Sequence, residues 1–412
     1  MESGFDLLVE RGFVYQSSND QALRAALARP LTLYCGYDPT ANSLTVGHLV
    51  PIMMLAHLQR AGHRPIALVG GGTTMVGDPT GKAEARAMMS REQIAVNQEA
   101  IKGQLSHYLD FSPTSPVQAR MVNNADWLLK LGYVDFLREI GRHFSVNQML
   151  QHETYRDRLQ GSGLSFIELN YVLLQAYDFL HLYREYGCTL QVGGSDQWFN
   201  ILAGSELIRR ADGGEAFALV APLITTASGA KMGKTEAGAV WLSPERTTPY
   251  AFYQFWVNTE DADVGRFLRF FTFFPEDEIK RLAALEGAEL RTAKEILAFA
   301  VTSIVHGEAA ATEAQQGARA LFGGDGGSLE HVPTTAVPAN RLTDGIEVVE
   351  LLVLGELAAS RGAARRLIGQ GGVTLGDRRI DAPDVRVSPD ELAGDGLLLR
   401  AGKKRFHRFV IG

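Results

Sequence analysis

The chain has 412 residues, 46% hydrophobic and 21% charged, which suits two or three ordinary globular domains and excludes a disordered chain. No run approaches 18 uninterrupted apolar residues, and Met1 to Phe13 mixes Glu2, Asp6, Glu10 and Arg11 with apolar residues where a leader peptide needs a basic start and an apolar core. No membrane partner is therefore expected, and the cytoplasm is the expected location. Its two cysteines, Cys35 and Cys188, offer no CxxC spacing, and the net charge of -7 argues against a chain coated along its length in nucleic acid.

The first half alternates strand-like and helix-like segments. Leu31 to Cys35 reads as a strand, Val46 to Arg60 as a helix stopped by Gly62, and Pro65 to Val69 as a strand running into Gly70, Gly71 and Gly72. Ser90 with Gln93 and Ser165 with Glu168 are capping-box signals, and Thr189 to Val192 is strand-like before Gly193 and Gly194. The alternation predicts an α/β fold, a Rossmann-like doubly wound parallel sheet. In such sheets ligands bind at the carboxyl ends of the strands, so Tyr34 to Thr40, Gly70 to Asp78 and Val192 to Gln197 are expected to line one crevice.

After Lys231 the pattern turns helical: Pro249 to Asn258, Asp261 to Phe271, Pro275 to Leu285, Arg291 to His306 and Gly307 to Leu321. The expected division is a catalytic domain over 1–225, a lysine loop and α-helical domain over 226–322, a glycine-rich linker over 323–342 and a small α+β domain over 343–412. In that last domain Val349 to Leu357 and Ser360 to Gly369 read as helices, and Val373 to Leu375 and Arg378 to Ile380 as strands. Residues 341–412 carry 12 Lys and Arg against 10 Asp and Glu. Arg361, Arg365, Arg366, Arg378 and Arg379 cluster with Asp377 alone among acids, followed by Lys403 and Lys404, which suggests a phosphate-binding module on an acidic enzyme.

Two familiar phosphate motifs are absent. A P-loop ending at Gly81 and Lys82 would need Gly at Val76 and Ser or Thr at Ala83, and the Gly70 and Gly72 pair has Met75 where a dinucleotide fingerprint has its third glycine. What stands out instead is Thr45, Val46, Gly47, His48 at a helix start and, far downstream, Lys231, Met232, Gly233, Lys234, Thr235. Unpaired N-H groups at the helix start can meet a nucleotide, and Gly47 lets it approach the backbone. Two lysines on a separate loop can hold its pyrophosphate. Tyr171, Gln175 and Asp178 fall at i, i+4 and i+7, a polar stripe on a helix otherwise apolar at Phe166, Leu173, Leu174 and Phe179.

Tyr34 to Thr40 followed by Thr45 to His48 resembles the signature region of class I aminoacyl-tRNA synthetases, and Lys231 to Thr235 resembles that class's Lys-Met-Ser-Lys-Ser loop. The closer similarity is to the bacterial tyrosyl-tRNA synthetases, carried further by Val69 to Asp78, Tyr171 to Phe179, Gln191 to Trp198 and the C-terminal module. The resemblance implies activation of L-tyrosine by ATP, with Mg2+ accompanying the ATP, and transfer to the tRNA for tyrosine by a homodimer. It implies that Tyr34 and Asp178 pair with the tyrosine phenol while Asp78, Tyr171 and Gln175 grip its ammonium group. Gly36, Asp38, Gly47, His48, Gly194, Asp196 and Gln197 would hold the nucleotide or adenylate, with Gln197 also beside tyrosine. Thr40, Thr45, Lys82, Arg86, Lys231, Lys234 and Thr235 would stabilise the phosphates, and Arg361, Arg365, Arg366, Arg378, Arg379, Lys403 and Lys404 would meet tRNA.

The chain departs from the family at Thr45, where histidine is usual, and at Gly233 and Thr235, which replace two serines. No editing insertion lies between the two motifs. A tryptophan-specific relative, a non-catalytic RNA-binding protein and a carrier-free adenylating enzyme are the alternatives.

Overall fold

The computed structural model describes residues 3–78, 89–161, 163–229, 232–235, 238–322, 332–343, 345–394, 396–402 and 405–412. They form two compact units: residues 1–233, 241–246 and 260–286, and residues 234–240, 247–259 and 287–412. The first unit is built on a six-stranded sheet of β1 (Gln16–Ser17), β2 (Thr32–Tyr37), β3 (Arg64–Val69), β4 (Arg120–Asn123), β5 (Cys188–Gly194) and β6 (Phe217–Ala221). Their spatial order is β1-β6-β5-β2-β3-β4. Only the short β1 runs antiparallel, against β6.

The central strands are nearly continuous apolar runs because both faces are covered: Pro65 to Val69 of β3 and all of β6 are buried. Helices α1 (Gly4–Glu10), α2 (Asp20–Ala26), α3 (Leu49–Arg60) and α4 (Arg91–Leu105) lie in the first half. Between β4 and β5 come α5 (Ala125–Leu128), α6 (Tyr133–Glu139), α7 (Val146–Met149), α8 (Glu153–Gln160) and the long α9 (Phe166–Tyr186), and α10 (Trp198–Asp212) follows β5. The chain winds outward from β2 to β4, then returns to lay β5 on the other side of β2. The order therefore reverses between β2 and β5, and the crevice opens at the carboxyl ends of those two strands.

The expected boundaries shift locally. The helix predicted from Val46 begins as a 3-10 turn, Val46–His48, before α3 proper, and the strand predicted to end at Cys35 continues to Tyr37. Ser90 accepts the Gln93 N-H at 3.2 Å, while the Gln93 side chain turns to Asn97. Ser165 and Glu168 form a full capping box, and α9 ends on Gly187 in the left-handed conformation at φ 60°.

The helices α12 (Val264–Phe271) and α13 (Glu276–Ala283), expected with the helical domain, fall in the first unit; α11 (Pro249–Val257) falls in the second. The reason is a phenylalanine-rich face. Phe270 meets Phe13 edge-on with ring centroids 5.0 Å apart, and Phe273 meets His57 at 5.0 Å. Arg11 donates to the carbonyls of Thr272 at 2.9 Å and Phe274 at 2.5 Å, satisfying acceptors just beyond the end of α12.

In the second unit α11 packs with α14 (Gly287–His306) and α15 (Glu308–Phe322), and Phe252 sits edge-on to Trp256 and His306. The hairpin of β7 (Lys234–Thr235) and β8 (Gly238–Ala239) also belongs to it. Of the expected linker, residues 323–331 lie outside the described residues. The stretch Thr334–Val337 is instead a strand, β9, because it pairs in parallel with β15 (Arg405–Ile411) and buries Val337 in the C-terminal core.

That core is closed by β10 (Ile346–Glu347) paired with β13 (Arg386–Val387), by helices α16 (Val348–Leu354) and α17 (Arg361–Gly369), and by a five-stranded sheet. The sheet contains β11 (Val373–Leu375), β12 (Arg378–Arg379) and β14 (Leu397–Ala401) in the order β12-β11-β14-β15-β9. Among the described residues no helix is long and apolar enough to cross a membrane.

One buried ion pair sets how α8 meets α9. Arg158 bonds Glu168 with side chains 8% and 7% exposed, while Glu168 also receives the Ser165 N-H at 3.0 Å and hydroxyl at 2.8 Å. Removing one partner strands the other charge, so Arg158→Met is expected to cost about 3–5 kcal/mol. Arg158→Met with Glu168→Gln should recover most of that loss, and urea unfolding of the three proteins checks both outcomes.

Candidate active site

Three strand ends and one helix supply the crevice. The pocket at its floor starts with Tyr34, fully buried in β2, its ring edge-on to Phe179 at 5.2 Å. The Tyr34 hydroxyl has no hydrogen-bond partner among the described residues. Burial, reinforced by Asp178, holds its phenol well above the ordinary range.

Asp178 is 1% exposed on α9. It accepts from Asn124 Nδ2 and from Trp127 Nε1, each at 2.8 Å, one on each carboxylate oxygen. Burial pushes its carboxyl up to about 7; the Asn124 and Trp127 bonds oppose that rise and nearby Asp38 adds to it. Asn124 also accepts the Gly72 N-H at 2.7 Å and donates to Thr73 Oγ1 at 3.0 Å. Thr73 in turn donates to Asp38 Oδ1 at 3.0 Å, and the Tyr171 hydroxyl to Asp38 Oδ2 at 3.2 Å. On the other wall Gln197 donates to Asp78 Oδ2 at 2.8 Å and accepts from Asn200 at 3.2 Å. Gln175 is half-buried on α9, one turn from both Tyr171 and Asp178.

The other half of the crevice is lined by exposed, small and polar residues. Gly36 is exposed in β2 with open space where a side chain would stand, Thr40 is exposed beyond the strand, and Asp196 is exposed after Gly194. The loop from Pro39 to Leu44 is pinned by α4: Asn97 donates to the Pro39 carbonyl at 2.9 Å, and Gln104 accepts the Leu44 N-H at 2.9 Å. Gly47 and His48 are exposed at the start of the following helix. Gly233 lies on that same turn. At φ +77°, a conformation that favours glycine, its Cβ position is 3.4 Å from Val46 Cβ and 3.6 Å from Gly47 N, so the second motif's glycine packs on the first motif.

The structure thus brings together Tyr34, Gly36, Asp38, Thr40, Thr45, Gly47, His48, Asp78, Tyr171, Gln175, Asp178, Gly194, Asp196 and Gln197 on the first unit. Lys234 and Thr235 form β7 in the second unit, whereas Lys82, Arg86 and Lys231 lie outside the described residues. Sequence reasoning missed Asn124, Trp127, Thr73, Asn97 and Gln104. No local pattern marks the first two, which lie where the edge strand β4 ends and α5 begins.

In the C-terminal sheet domain Arg361, Arg365, Arg366, Arg378 and Arg379 are all exposed on α17 and β12. The apparent scarcity of acids there is corrected by the structure, in which two acids from neighbouring elements and one two residues downstream reach the arginines. Arg361 lies 3.5 Å from Glu350, Arg378 3.4 Å from Glu391 and Arg379 3.1 Å from Asp381. Arg365 and Arg366 make no ion pair among the described residues, and Lys403 and Lys404 lie outside them.

The raised Asp178 carboxyl has a measurable sign. Between its ordinary value of 3.8 and about 7, the folded protein holds a proton that the unfolded chain releases, so this group's contribution to stability falls as pH rises through that window. The stability of the protein minus that of Asp178→Asn should therefore shrink from about pH 5 to about pH 8. Denaturant unfolding at the two pH values checks this, and a constant difference would remove the titration from the window.

Comparison with known proteins places the chain in a family. The sequence profile described as tRNA synthetases class I (W and Y) matches residues 26–323, and the one described as Tyrosine–tRNA ligase SYY-like C-terminal domain matches residues 328–409. The chain is 52% identical to a tyrosine–tRNA ligase of Desulfatibacillum aliphaticivorans, covering 98% of this chain and 97% of that protein. It is 50% identical to one of Clostridium botulinum (strain Hall) across the whole of both chains.

Among solved structures, a C-terminally truncated mitochondrial tyrosyl-tRNA synthetase of Aspergillus nidulans aligns at TM-score 0.71 and 29% identity, over 78% of this chain and 95% of that one. A tryptophanyl-tRNA synthetase of Encephalitozoon cuniculi shares the fold at TM-score 0.55 and 14% identity, over 75% of this chain and 86% of that one. A parallel sheet reversing beside a buried Tyr34 and Asp178, a glycine-lined helix start and two matched profiles converge: the chain belongs to the tyrosine and tryptophan family of class I tRNA synthetases and carries the C-terminal domain of the tyrosine–tRNA ligases.

Proposed function

We propose that this protein is a tyrosine–tRNA ligase: it joins L-tyrosine to ATP, releasing pyrophosphate, and passes the tyrosyl group from the adenylate to the terminal ribose of the tRNA for tyrosine. The observation that carries the amino-acid assignment is the Asp178 carboxylate, buried with one donor on each oxygen, near a Tyr34 hydroxyl with no partner among the described residues. A phenol O-H completes that pair by donating to Asp178 and accepting from Tyr34. A phenylalanine ring leaves both wanting, and tyrosyl-tRNA synthetases are a known example of such rejection. An indole has no hydroxyl to offer there.

The ammonium group goes to the polar wall of Asp78, Tyr171, Gln175 and Gln197. The tyrosine carboxylate is already ionised and attacks the α-phosphorus directly, so no general base is assigned to the first step. Positioning and donors aimed at the growing phosphate charge supply the catalysis. In this reading Gly36, Asp38, Gly194 and Asp196 hold ribose and α-phosphate, Gly47 and His48 meet the nucleotide, and Thr40, Thr45, Lys82, Arg86, Lys231, Lys234 and Thr235 face the departing phosphates. Mg2+ enters with ATP, held by phosphates and water rather than by a protein cage.

We assign amino-acid activation to the first unit, anticodon contact to the helices α11, α14 and α15 of the second, and tRNA phosphate contact to the C-terminal module, of which β9 is a strand. Arg361, Arg365, Arg366, Arg378, Arg379, Lys403 and Lys404 position the tRNA without reading sequence. A cytoplasmic location fits the reaction.

The homodimer of this reading has a candidate face. Leu129, Tyr133, Val134, Val146, Leu159, Phe166 and Ile167 are between 43% and 74% exposed and all fall between β4 and the first turn of α9. Exposed large apolar side chains gathered in one stretch of chain support placing the interface there. Val134→Glu is expected to convert a dimer into a monomer in sedimentation; a dimer that persists unchanged would move the interface elsewhere.

Pyrophosphate exchange into ATP, run separately with tyrosine, tryptophan and phenylalanine, tests the activation step. Exchange with tyrosine alone is expected. Exchange with tryptophan would overturn the pocket assignment, and none with any of the three would favour an RNA-binding role.

A further inference from the structure

One tryptophan beside the crevice floor is held in two ways by the same helix. Trp127 belongs to α5, a single turn of four residues, too short to keep its shape unaided. Its indole N-H donates to Asp178 Oδ1 at 2.8 Å, and the face of the same ring stacks on His181, with centroids 4.2 Å apart and planes 22° from parallel. Asp178 and His181 stand three residues apart on α9, which puts both on the side that meets α5. His181 is tilted in turn against Tyr177 at 6.4 Å, and Tyr177 meets Phe136 edge-on at 5.8 Å. Burial lowers the imidazole below its ordinary range, Glu185 opposing and Arg184 adding to the effect, so at neutral pH the stack joins two uncharged flat rings. Both rings also form part of the wall of a cavity of about 530 Å³, so removing the imidazole only widens the space beside the indole.

We infer that His181 is a positioning residue for amino-acid selection: by stacking on Trp127 it keeps the indole N-H aimed at Asp178, the carboxylate that the proposed function gives to the tyrosine phenol. The effect on tyrosine rests on that reading. Asn124 anchors the start of the α5 turn on Asp178 Oδ2, whereas the indole three residues on is oriented by its own bond and by the rings packed against it. A hydrogen bond weakens steeply as its donor turns out of line. A buried carboxylate that loses one of two donors gains proton affinity, and a carboxyl that keeps its proton is a weaker acceptor for a phenol. Loosening the indole therefore reaches the substrate through Asp178, although His181 itself touches no reacting atom.

Indole proton–nitrogen spectra of protein labelled in its tryptophans, with the Trp127 signal assigned by its loss in Trp127→Phe, read the positioning directly. His181→Ala is expected to speed exchange of the Trp127 indole proton with water about tenfold, and His181→Phe, which returns a flat ring, to bring it back within about twofold of the unaltered protein. An exchange rate unmoved by His181→Ala would overturn the inference, whatever the activity. In the pyrophosphate assay His181→Ala should raise the KM for tyrosine about two- to tenfold, the worth of one ring pair, and lower the preference for tyrosine over phenylalanine by a similar factor. The KM for ATP should stay as it was, and His181→Phe should restore the preference. In Trp127→Phe, which has no N-H to aim, adding His181→Ala should leave that preference where it is. A further loss there, or a lowered unfolding midpoint with the preference intact, would reduce His181 to core packing and contradict the role. Absence of pyrophosphate exchange in the unaltered protein would sink the ligase reading, while the indole spectra would still decide the positioning.

Discussion

The arrangement of the crevice floor depends on keeping one carboxylate inside the protein. Asp178 at 1% exposure would be prohibitively placed as a bare charge, and it is retained because each oxygen has a donor and its proton affinity is raised. Those donors come from the turn after β4, at the far edge of the sheet. Asn124 therefore works in three directions: to Asp178 on α9, to Thr73 beyond β3 and, as acceptor, to Gly72 N-H. Thr73 passes the connection to Asp38 beyond β2, and Tyr171 returns it to α9. The pocket is thus a closed ring of hydrogen bonds across three strand ends and one helix. Bonds that tie these members to one another hold the side chains around Asp178 in place, while the Tyr34 hydroxyl stays without a partner among the described residues.

The other half of the crevice is organised differently, by absent side chains. A Cβ at Gly70 would fall on Asp38, so glycine there is what admits the carboxylate that Thr73 and Tyr171 hold. Gly36 and Gly47 keep the crevice floor and the helix start open, and Gly233 uses a left-handed backbone to lie on Val46 and Gly47. A side chain at this position would be strained in that conformation. Gly233 and the turn that starts at Thr45 therefore meet at one place in the fold.

Much of this was readable in the sequence because the strongly periodic parts are governed by local rules. The strands β2 and β3 declared themselves as buried runs, the Ser165 and Glu168 box fixed the start of α9, and the i, i+4, i+7 spacing put Tyr171, Gln175 and Asp178 on one face. The partners of Asp178 were not legible, since Asn124 and Trp127 reach it only through a crossover that places β4 outside β3. Nothing in 54 residues of separation announces such a contact. The strand β9 escaped for a related reason: Thr334–Val337 has no amphipathic signal of its own and becomes a strand by pairing with β15 at the other end of the domain. The phenylalanines of α12 looked like ordinary helix core, and only their packing on Phe13 showed which core they join.

The same non-local folding alters what the arginine cluster can do. Ion pairs to Glu350, Glu391 and Asp381 hold Arg361, Arg378 and Arg379, but the arginine side chains are 56–65% exposed. Such surface pairs contribute about 0–1 kcal/mol each and weaken further with salt. Releasing them costs little, whereas a phosphate backbone offers bidentate partners and liberates condensed counterions. The acids thus keep the arginines oriented and the surface less adhesive without competing seriously with a polyanion. Arg365 and Arg366, on α17 beside Arg361, have no carboxylate among the described residues to give up. If the module binds tRNA as proposed, α17 is the part of it that engages phosphate at least cost, and β12 follows by exchange of partners.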